Sequence, residues 1–182
     1  MVSRAKAALR KKTLEMRDSL TEEEHAAKSR AIMKTLFSRP RFREAKVVAF
    51  YVPKGSEVDA RIMIEGALKK GKEVVVPVTD HRITFYKFHS FDDLKKGKYG
   101  ILEPKTLENP SNPPELVVIP GACFGLCMHR VGYGKGYYDD YLGKSFSYRI
   151  GLCFDFQVVE KLPTHENDQR MDEIITEKRI IT

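Results

Sequence analysis

Polar and apolar residues alternate at two different periods along this chain, and each change of period marks an element. From about Ser3 to Leu20 the apolar positions keep helical spacing. Leu9, Thr13, Met16 and Leu20 share one face, and Lys6, Arg10 and Arg17 form a basic stripe beside it. Such a stripe is ordinarily a solvated face, but one that borders a buried face can also look into a neighbouring cleft. Thr21-Glu22-Glu23-Glu24 has the form of a capping box and opens a second helix running to about Ser38, stopped before Pro40. Lys46 to Val52 is an unbroken apolar, β-branched and aromatic run, which predicts a buried strand. It ends in the loop Pro53-Lys54-Gly55-Ser56-Glu57. Asp59 is then placed to cap a helix that closes at Gly71, and Glu73 to Val78 is a second strand.

This strand–helix–strand unit is a βαβ, so it predicts a parallel sheet with a right-handed crossover. Glu57 then falls just beyond the carboxyl end of a parallel strand, where α/β proteins bind ligands. A loop carboxylate is otherwise simply solvated. Ile83 to Phe88 alternates and suits a more exposed strand. The segment from Glu103 to Glu115 carries Pro104, Pro110, Pro113 and Pro114 and is expected to be a loop. Leu116 to Ile119, Tyr148 to Cys153, Ile174 to Thr176 and Arg179 to Ile181 supply the remaining strands.

Composition narrows the class without naming the function. With 182 residues, 42% hydrophobic and 31% charged, the chain has the make-up of one soluble domain spanning residues 1–182. No apolar run approaches a membrane span, and the charged N-terminus lacks the apolar core of a secretory signal. Cys123, Cys127 and Cys153 cannot all pair, and Cys123-x3-Cys127 without a second Cys/His pair is a poor zinc site. These features point to the cytoplasm. The formal charge of +7 is uneven: residues 1–46 hold 13 Lys/Arg against 6 Asp/Glu, and the rest hold 19 against 19. A basic N-terminal region on a neutral body fits a polyanionic ligand, nucleic acid, or plain solvated faces.

The chemistry concentrates in Gly132-Tyr133-Gly134-Lys135-Gly136-Tyr137-Tyr138, between Arg130 and the pair Asp139-Asp140. Glycine at every second position leaves backbone N–H groups unshielded and permits positive φ, the geometry of an anion-binding nest. Arg130 and Lys135 add positive charge, and the stretch after Gly136 reads as a helix start, whose positive end favours the same anion. Asp139 follows as a hard oxygen ligand would if Mg²⁺ bridged bound phosphates. A tight turn that merely needs glycines is the plainer explanation. The flanking Arg, Lys and Asp favour phosphate.

Around that loop a family resemblance gathers. Pro120-Gly121-Ala122-Cys123-Phe124, followed by Arg130-Val131-Gly132-Tyr133-Gly134-Lys135-Gly136-Tyr137-Tyr138-Asp139, is similar to the pattern of the 5-formyltetrahydrofolate cyclo-ligases, also called methenyltetrahydrofolate synthetases. Lys6-x3-Arg10, Glu57, Gly100-Ile101-Leu102-Glu103-Pro104, and the tail from Leu162-Pro163 through Asn167-Asp168 to Asp172-Glu173-Ile174-Ile175 also resemble the family's landmarks, in its order. Two positions depart from it. Gly125 stands where the family usually has Asp, and Met128 where it usually has Gly, which leaves the conformation of residues 125–129 open.

The resemblance implies a three-layer α/β/α domain, Rossmann-like, with a mostly parallel sheet. It also implies ATP- and Mg²⁺-dependent closure of 5-formyltetrahydrofolate to 5,10-methenyltetrahydrofolate, with ADP and phosphate released. Lys135 and Arg130 would be catalytic. Lys6 and Arg10 would join Arg130, Val131, Gly132, Tyr133, Gly134, Lys135, Gly136, Tyr137 and Tyr138 on ATP. Val52, Glu57, Tyr133 and Tyr138 would meet the folate, and Asp139 and Asp168 would serve Mg²⁺. Arg17, a turn beyond the family's landmarks, is expected to be solvated, and His129 is a lesser candidate for phosphate. The expected partners are ATP and 5-formyltetrahydrofolate, without nucleic acid or membrane, in a monomer or else a dimer. A sugar-phosphate isomerase or acyl-transferase relative is the rival on a similar sheet. A nucleic-acid module is the other rival, but it lacks a recognition motif.

Overall fold

The structure, a computed structural model, describes residues 2–182. Helix α1 spans Val2–Asp18 and α2 Glu22–Ser38, with the capping box formed as expected: the Glu24 N–H donates to Thr21 Oγ1 at 3.2 Å, and the Thr21 N–H to Glu24 Oε2 at 3.0 Å. Pro40 does end α2, and it also takes the first turn of a short further helix, α3 (Pro40–Glu44), which the sequence pattern did not predict. Helix α4 (Ala60–Lys69) starts at the Asp59 cap, and Gly71 beyond its end takes φ +74°.

The main sheet has seven strands. They are β1 (Val47–Ala49), β2 (Glu73–Thr79), β3 (Ile83–Lys87), β4 (Leu116–Ile119), β5 (Tyr148–Leu152), β6 (Glu173–Ile175) and β7 (Ile180–Ile181). Their order across the sheet is β7-β6-β5-β4-β1-β2-β3, with only the outermost pairs antiparallel. Regular pairing in β1 is shorter than its apolar run, although the Phe50 N–H still donates to Val75 O at 2.9 Å. Successive side chains point to opposite faces. Val48, Val74, Val76, Leu116, Val118 and Ile150 therefore pack with Ile32, Leu36, Phe42, Met63 and Ile64 of α2, α3 and α4. Val47, Ala49, Val75, Val117 and Ile119 meet the other layer, made of Leu142 on helix α5 (Tyr137–Leu142) with Phe124 and Met128.

The second layer is completed by a small three-stranded sheet of Val158–Val159, Cys123–Gly125 and Arg130–Val131, a feature hidden in sequence because its strands are two or three residues long. Leu9 of α1 packs on its outer side with Cys123, Val131 and Leu162. Glu103 and Pro104, expected in a loop, instead pair in a short ladder of Leu102–Pro104 with Leu94–Lys96.

The departures at residues 125–129 resolve into one turn. Phe124 pairs with Arg130, the Gly125 N–H donates to His129 O at 2.9 Å, and the Met128 N–H donates to Gly125 O at 2.9 Å. This is a three-residue hairpin loop whose last residue must be left-handed, and Met128 takes it with φ +69°. A Cβ on Gly125 would lie 2.7 Å from Leu162 Cβ and 2.9 Å from Cys127 Sγ, so this packing has no room for the family's usual Asp. Met128 is 5% exposed in the core. Left-handed backbone costs a non-glycine residue roughly 1–2 kcal/mol, whereas losing a buried methionine side chain costs about 2–5 kcal/mol. Met128→Gly should therefore destabilise by roughly 1–3 kcal/mol despite relieving the backbone, and Gly125→Ala by a similar amount through overpacking. Urea unfolding of both variants checks this, and a more stable Met128→Gly would mean that the backbone term wins.

Candidate active site

Strand order reverses between β1 and β4, and the gap between their carboxyl ends is where a sheet of this kind can admit a ligand. A cavity of about 470 Å³ opens there. The chain leaving β1 supplies Tyr51, Val52 and Glu57, and the chain after β4 supplies Pro120, Arg130 and the glycine loop; Arg17 and Tyr99 close its edges. Gly134 and Gly136 adopt the left-handed backbone expected of the nest, with φ +96° and +70°. Gly136 brings no side chain to cap α5, which is only six residues long.

Glu57 is 6% exposed. Tyr133 donates its hydroxyl proton to Oε1 at 2.6 Å, and the Lys54 N–H donates to Oε2 at 2.9 Å. Burial pushes the Glu57 carboxyl above its ordinary value, against the Tyr133 bond, the Lys54 N–H and the charge of Arg17. Among the described residues the Tyr138 hydroxyl and Arg130 Nε are buried without a hydrogen-bond partner, which is uncommon for buried polar groups. Arg130 is otherwise held by Asp139, Nη1 to Oδ1 at 2.9 Å, and its guanidinium lies 5.7 Å from the Tyr138 ring centre.

The model of the "5-formyltetrahydrofolate cyclo-ligase family" matches residues 2–177. The chain belongs to that family. It is an enzyme, a ligase that forms a cyclic C–N bond. A probable 5-formyltetrahydrofolate cyclo-ligase of Schizosaccharomyces pombe is 30% identical over 177 residues, covering 85% of this chain and 86% of the relative. The solution structure of Aquifex aeolicus 5,10-methenyltetrahydrofolate synthetase superposes with a TM-score of 0.84 at 38% identity, over 96% of this chain and 91% of that one. The Mycoplasma pneumoniae synthetase gives 0.76 at 27%, over 94% and 98%.

Against that family's pattern the predicted residues divide into two groups. Val52, Glu57, Arg130, Gly132, Tyr133, Lys135, Gly136, Tyr137, Tyr138 and Asp139 line the cavity. Lys6 and Arg10 do not. Arg10 lies against the glycine loop from outside the cavity, its Nε donating to Gly132 O at 2.7 Å, and Lys6, one turn earlier on α1, pairs with Asp168. Gly134 is on that side too: a Cβ there would sit 3.7 Å from an Arg10 Nη2. His129, its Nδ1 3.0 Å from Cys127 O, adds its charge to the field at Asp168. Burial pushes the Asp168 carboxyl up, but the bonds from Lys6 and the His165 N–H outweigh it and hold it below its ordinary value. Val131 is not brought to the cavity. Alternation along its strand turns its side chain into the small core with Cys123 and Leu162, while Arg130 faces the site.

Two expectations for α1 fail. Met16 is 40% exposed, and Arg17, expected to be solvated, is 5% exposed. The inner face of the helix is the row Leu9, Thr13, Arg17, because α1 lies over the small sheet and the cavity and not on the main sheet. Tyr51, Ser56, Tyr99 and Ile101 also line the cavity and were missed as site residues. Ile101 alone carried a signal, inside the Gly100-to-Pro104 landmark.

The raised Glu57 pKa has a sign that can be tested. The folded state favours the neutral carboxyl, so that stabilisation is complete below the ordinary glutamate value, about 4.3, and is lost as pH rises through the raised one. Glu57→Gln cannot ionise and escapes the loss. Its Tm relative to the parent protein should climb as pH rises above the ordinary glutamate value. A falling difference would mean that the hydrogen bonds to the carboxylate outweigh its burial.

Proposed function

We propose that this ligase closes 5-formyltetrahydrofolate to 5,10-methenyltetrahydrofolate at the expense of ATP, with the folate in the cavity and the ATP phosphates at the glycine loop and its outer edge. The carrying observation is that one loop borders an aromatic, carboxylate-bearing cavity and also meets Arg10 from outside that cavity, with Lys6 a turn away on the same helix. A formyl oxygen on nitrogen is a poor leaving group. In this reading it attacks the γ-phosphorus and ADP departs. N10 then attacks the formyl carbon, and the C–O bond breaks to release phosphate together with the N10 proton. Such a transfer needs positioning and charge stabilisation more than covalent help from the protein. Lys135 and Arg130, both on the cavity wall, are assigned the negative charge that builds on the phosphoryl group. Glu57 and the unpartnered Tyr138 hydroxyl are assigned the polar edge of the folate.

The carboxylates present suit Mg²⁺. On Asp139 the bonds from Arg130 and the Gln169 N–H converge on Oδ1, and on Asp168 those from Lys6 and the His165 N–H converge on Oδ2, so each keeps an oxygen for a cation. One or two carboxylates with phosphate oxygens and water are the usual Mg²⁺ set. When bound, the ion supplies neutralisation across the phosphate oxygens.

Purified protein with 5-formyltetrahydrofolate, ATP and Mg²⁺ should show the absorbance of the methenyl product, and omission of ATP or metal should abolish it. Turnover without ATP would overturn the mechanism. Lys135→Ala should lower kcat about a hundredfold or more with the fold intact, since Lys135 is exposed. A change limited to the KM for folate would reassign this lysine.

Arg10→Ala should weaken ATP binding by at least about tenfold, the worth of a charge-assisted bond to phosphate. ATP titration checks it, and affinity equal to the parent protein's would return Arg10 to a structural contact with the loop.

A further inference from the structure

Arg17 is a buried cation with an unusual set of partners. Among the described residues no carboxylate lies within 4.0 Å of its guanidinium as an ion pair. Its bonds go to two hydroxyls instead: Nε donates to Ser56 Oγ at 3.0 Å and Nη2 to Tyr133 Oη at 3.1 Å. Ser56 in turn donates to Asp18 Oδ1, which fixes the serine oxygen as an acceptor for Arg17. A cation buried without a counter-ion is costly and usually has a partner one group away. Here that partner is Glu57, reached through Tyr133.

The intermediate tyrosine needs such support. Tyr133 is 51% exposed and sits in a loop between glycines, so packing alone does not fix its ring. Its hydroxyl has one proton. With Arg17 donating to the oxygen, that proton is aimed at Glu57, and the 2.6 Å contact has the length of an O–H···O⁻ bond. The arrangement joins α1, the loop after β1 and the glycine loop at one point on the cavity wall.

We propose that Arg17 is a positioning residue for folate: acting through the Tyr133 hydroxyl, it holds the Glu57 carboxylate in the geometry that binds the substrate. This rests on the assignment of Glu57 to the folate. The step is indirect, so it makes a specific claim about additivity: once the Tyr133 hydroxyl is gone, Arg17 has no further route to Glu57.

The test measures 5-formyltetrahydrofolate affinity by calorimetry without nucleotide, and the KM for folate and for ATP, in Arg17→Met, Tyr133→Phe, their double variant and Glu57→Gln. Arg17→Met and Tyr133→Phe should each weaken folate binding about tenfold, and the double variant no more than the weaker-binding single. The KM for ATP should move much less than folate affinity, because each variant removes a side-chain route to Glu57 and leaves the backbone N–H groups of the glycine loop in place. Arg17→Lys keeps the charge but lacks the fork that reaches Ser56 and Tyr133 together. It should show the same loss while folding normally, which covers the case in which Arg17→Met does not fold. Additive losses would mean that Arg17 touches the folate itself, and equal losses for ATP and folate would mean general loosening; either overturns the proposal. Unchanged affinity in Glu57→Gln removes the folate assignment of Glu57 and this inference with it. A loss there with normal affinity in Tyr133→Phe and Arg17→Lys removes this inference alone.

Discussion

A parallel sheet cannot reverse its strand order without leaving a gap at the carboxyl ends of the two strands on either side, and everything chemical in this protein is fitted into that gap. β1 and β4 run side by side, Val48 against Leu116 and Ala49 against Val117, and then their chains part. One turns away through Glu57 into α4, and the other runs through Pro120 into the small sheet and the glycine loop. The cavity is what the two departures leave between them. Its floor is the end of a well-packed sheet, so the side chains on it stand on backbone held by the core. One wall is the loop with alternate glycines, which brings the side chains of Tyr133, Lys135, Tyr137 and Tyr138 to the cavity while its glycines leave backbone N–H groups unshielded.

Burial of charge governs the walls. Arg130 and Glu57 are both almost completely removed from solvent, and neither is left alone. Arg130 has Asp139. Glu57 has a hydroxyl, a backbone N–H and a cation at one remove. These pairs set a limit on what substitution can reveal. Removing the charge of Asp139 would strip Arg130 of its counter-ion and cost several kcal/mol of stability, so a metal role for Asp139 cannot be read from such a variant without its stability in hand. Asp168 is paired instead to Lys6, whose side chain keeps 17% exposure where that of Arg130 keeps 3%, so changing this carboxylate leaves a less deeply buried cation behind.

The main sheet and the longer helices were legible in the sequence because each carries a long enough signal, which the five-residue α3 does not. The capping box at Thr21, the βαβ from Val47 to Thr79 and the apolar run at Leu116 are all local patterns with a mechanism behind them. The small sheet was not legible. Cys123–Gly125 and Arg130–Val131 are too short to show a period, and their pairing depends on a hairpin in which a methionine takes a glycine's backbone. The glycine loop could be read as an anion nest from its residues alone. That Arg10 meets it from outside the cavity while Glu57 meets it from within could not, since this depends on where α1 docks.

Arg17 shows why helical periodicity misleads at such a place. The pattern Leu9, Thr13, Met16, Leu20 assumes that the most apolar face is the buried one, which holds when a helix packs on a sheet. α1 packs instead across the small sheet and the cavity, with Leu9 set into the small core and Arg17 on the cavity wall. What holds it there are bonds from its basic stripe: Lys6 to Asp168, Arg10 to the Gly132 carbonyl, Arg17 to Ser56 and Tyr133. The uneven charge seen in the sequence is thus partly consumed inside the protein. The same side chains that dock the helix face the loop and cavity in which the ligands are placed. Docking of α1 and the shape of the site are therefore one set of interactions, and a change in either alters the other.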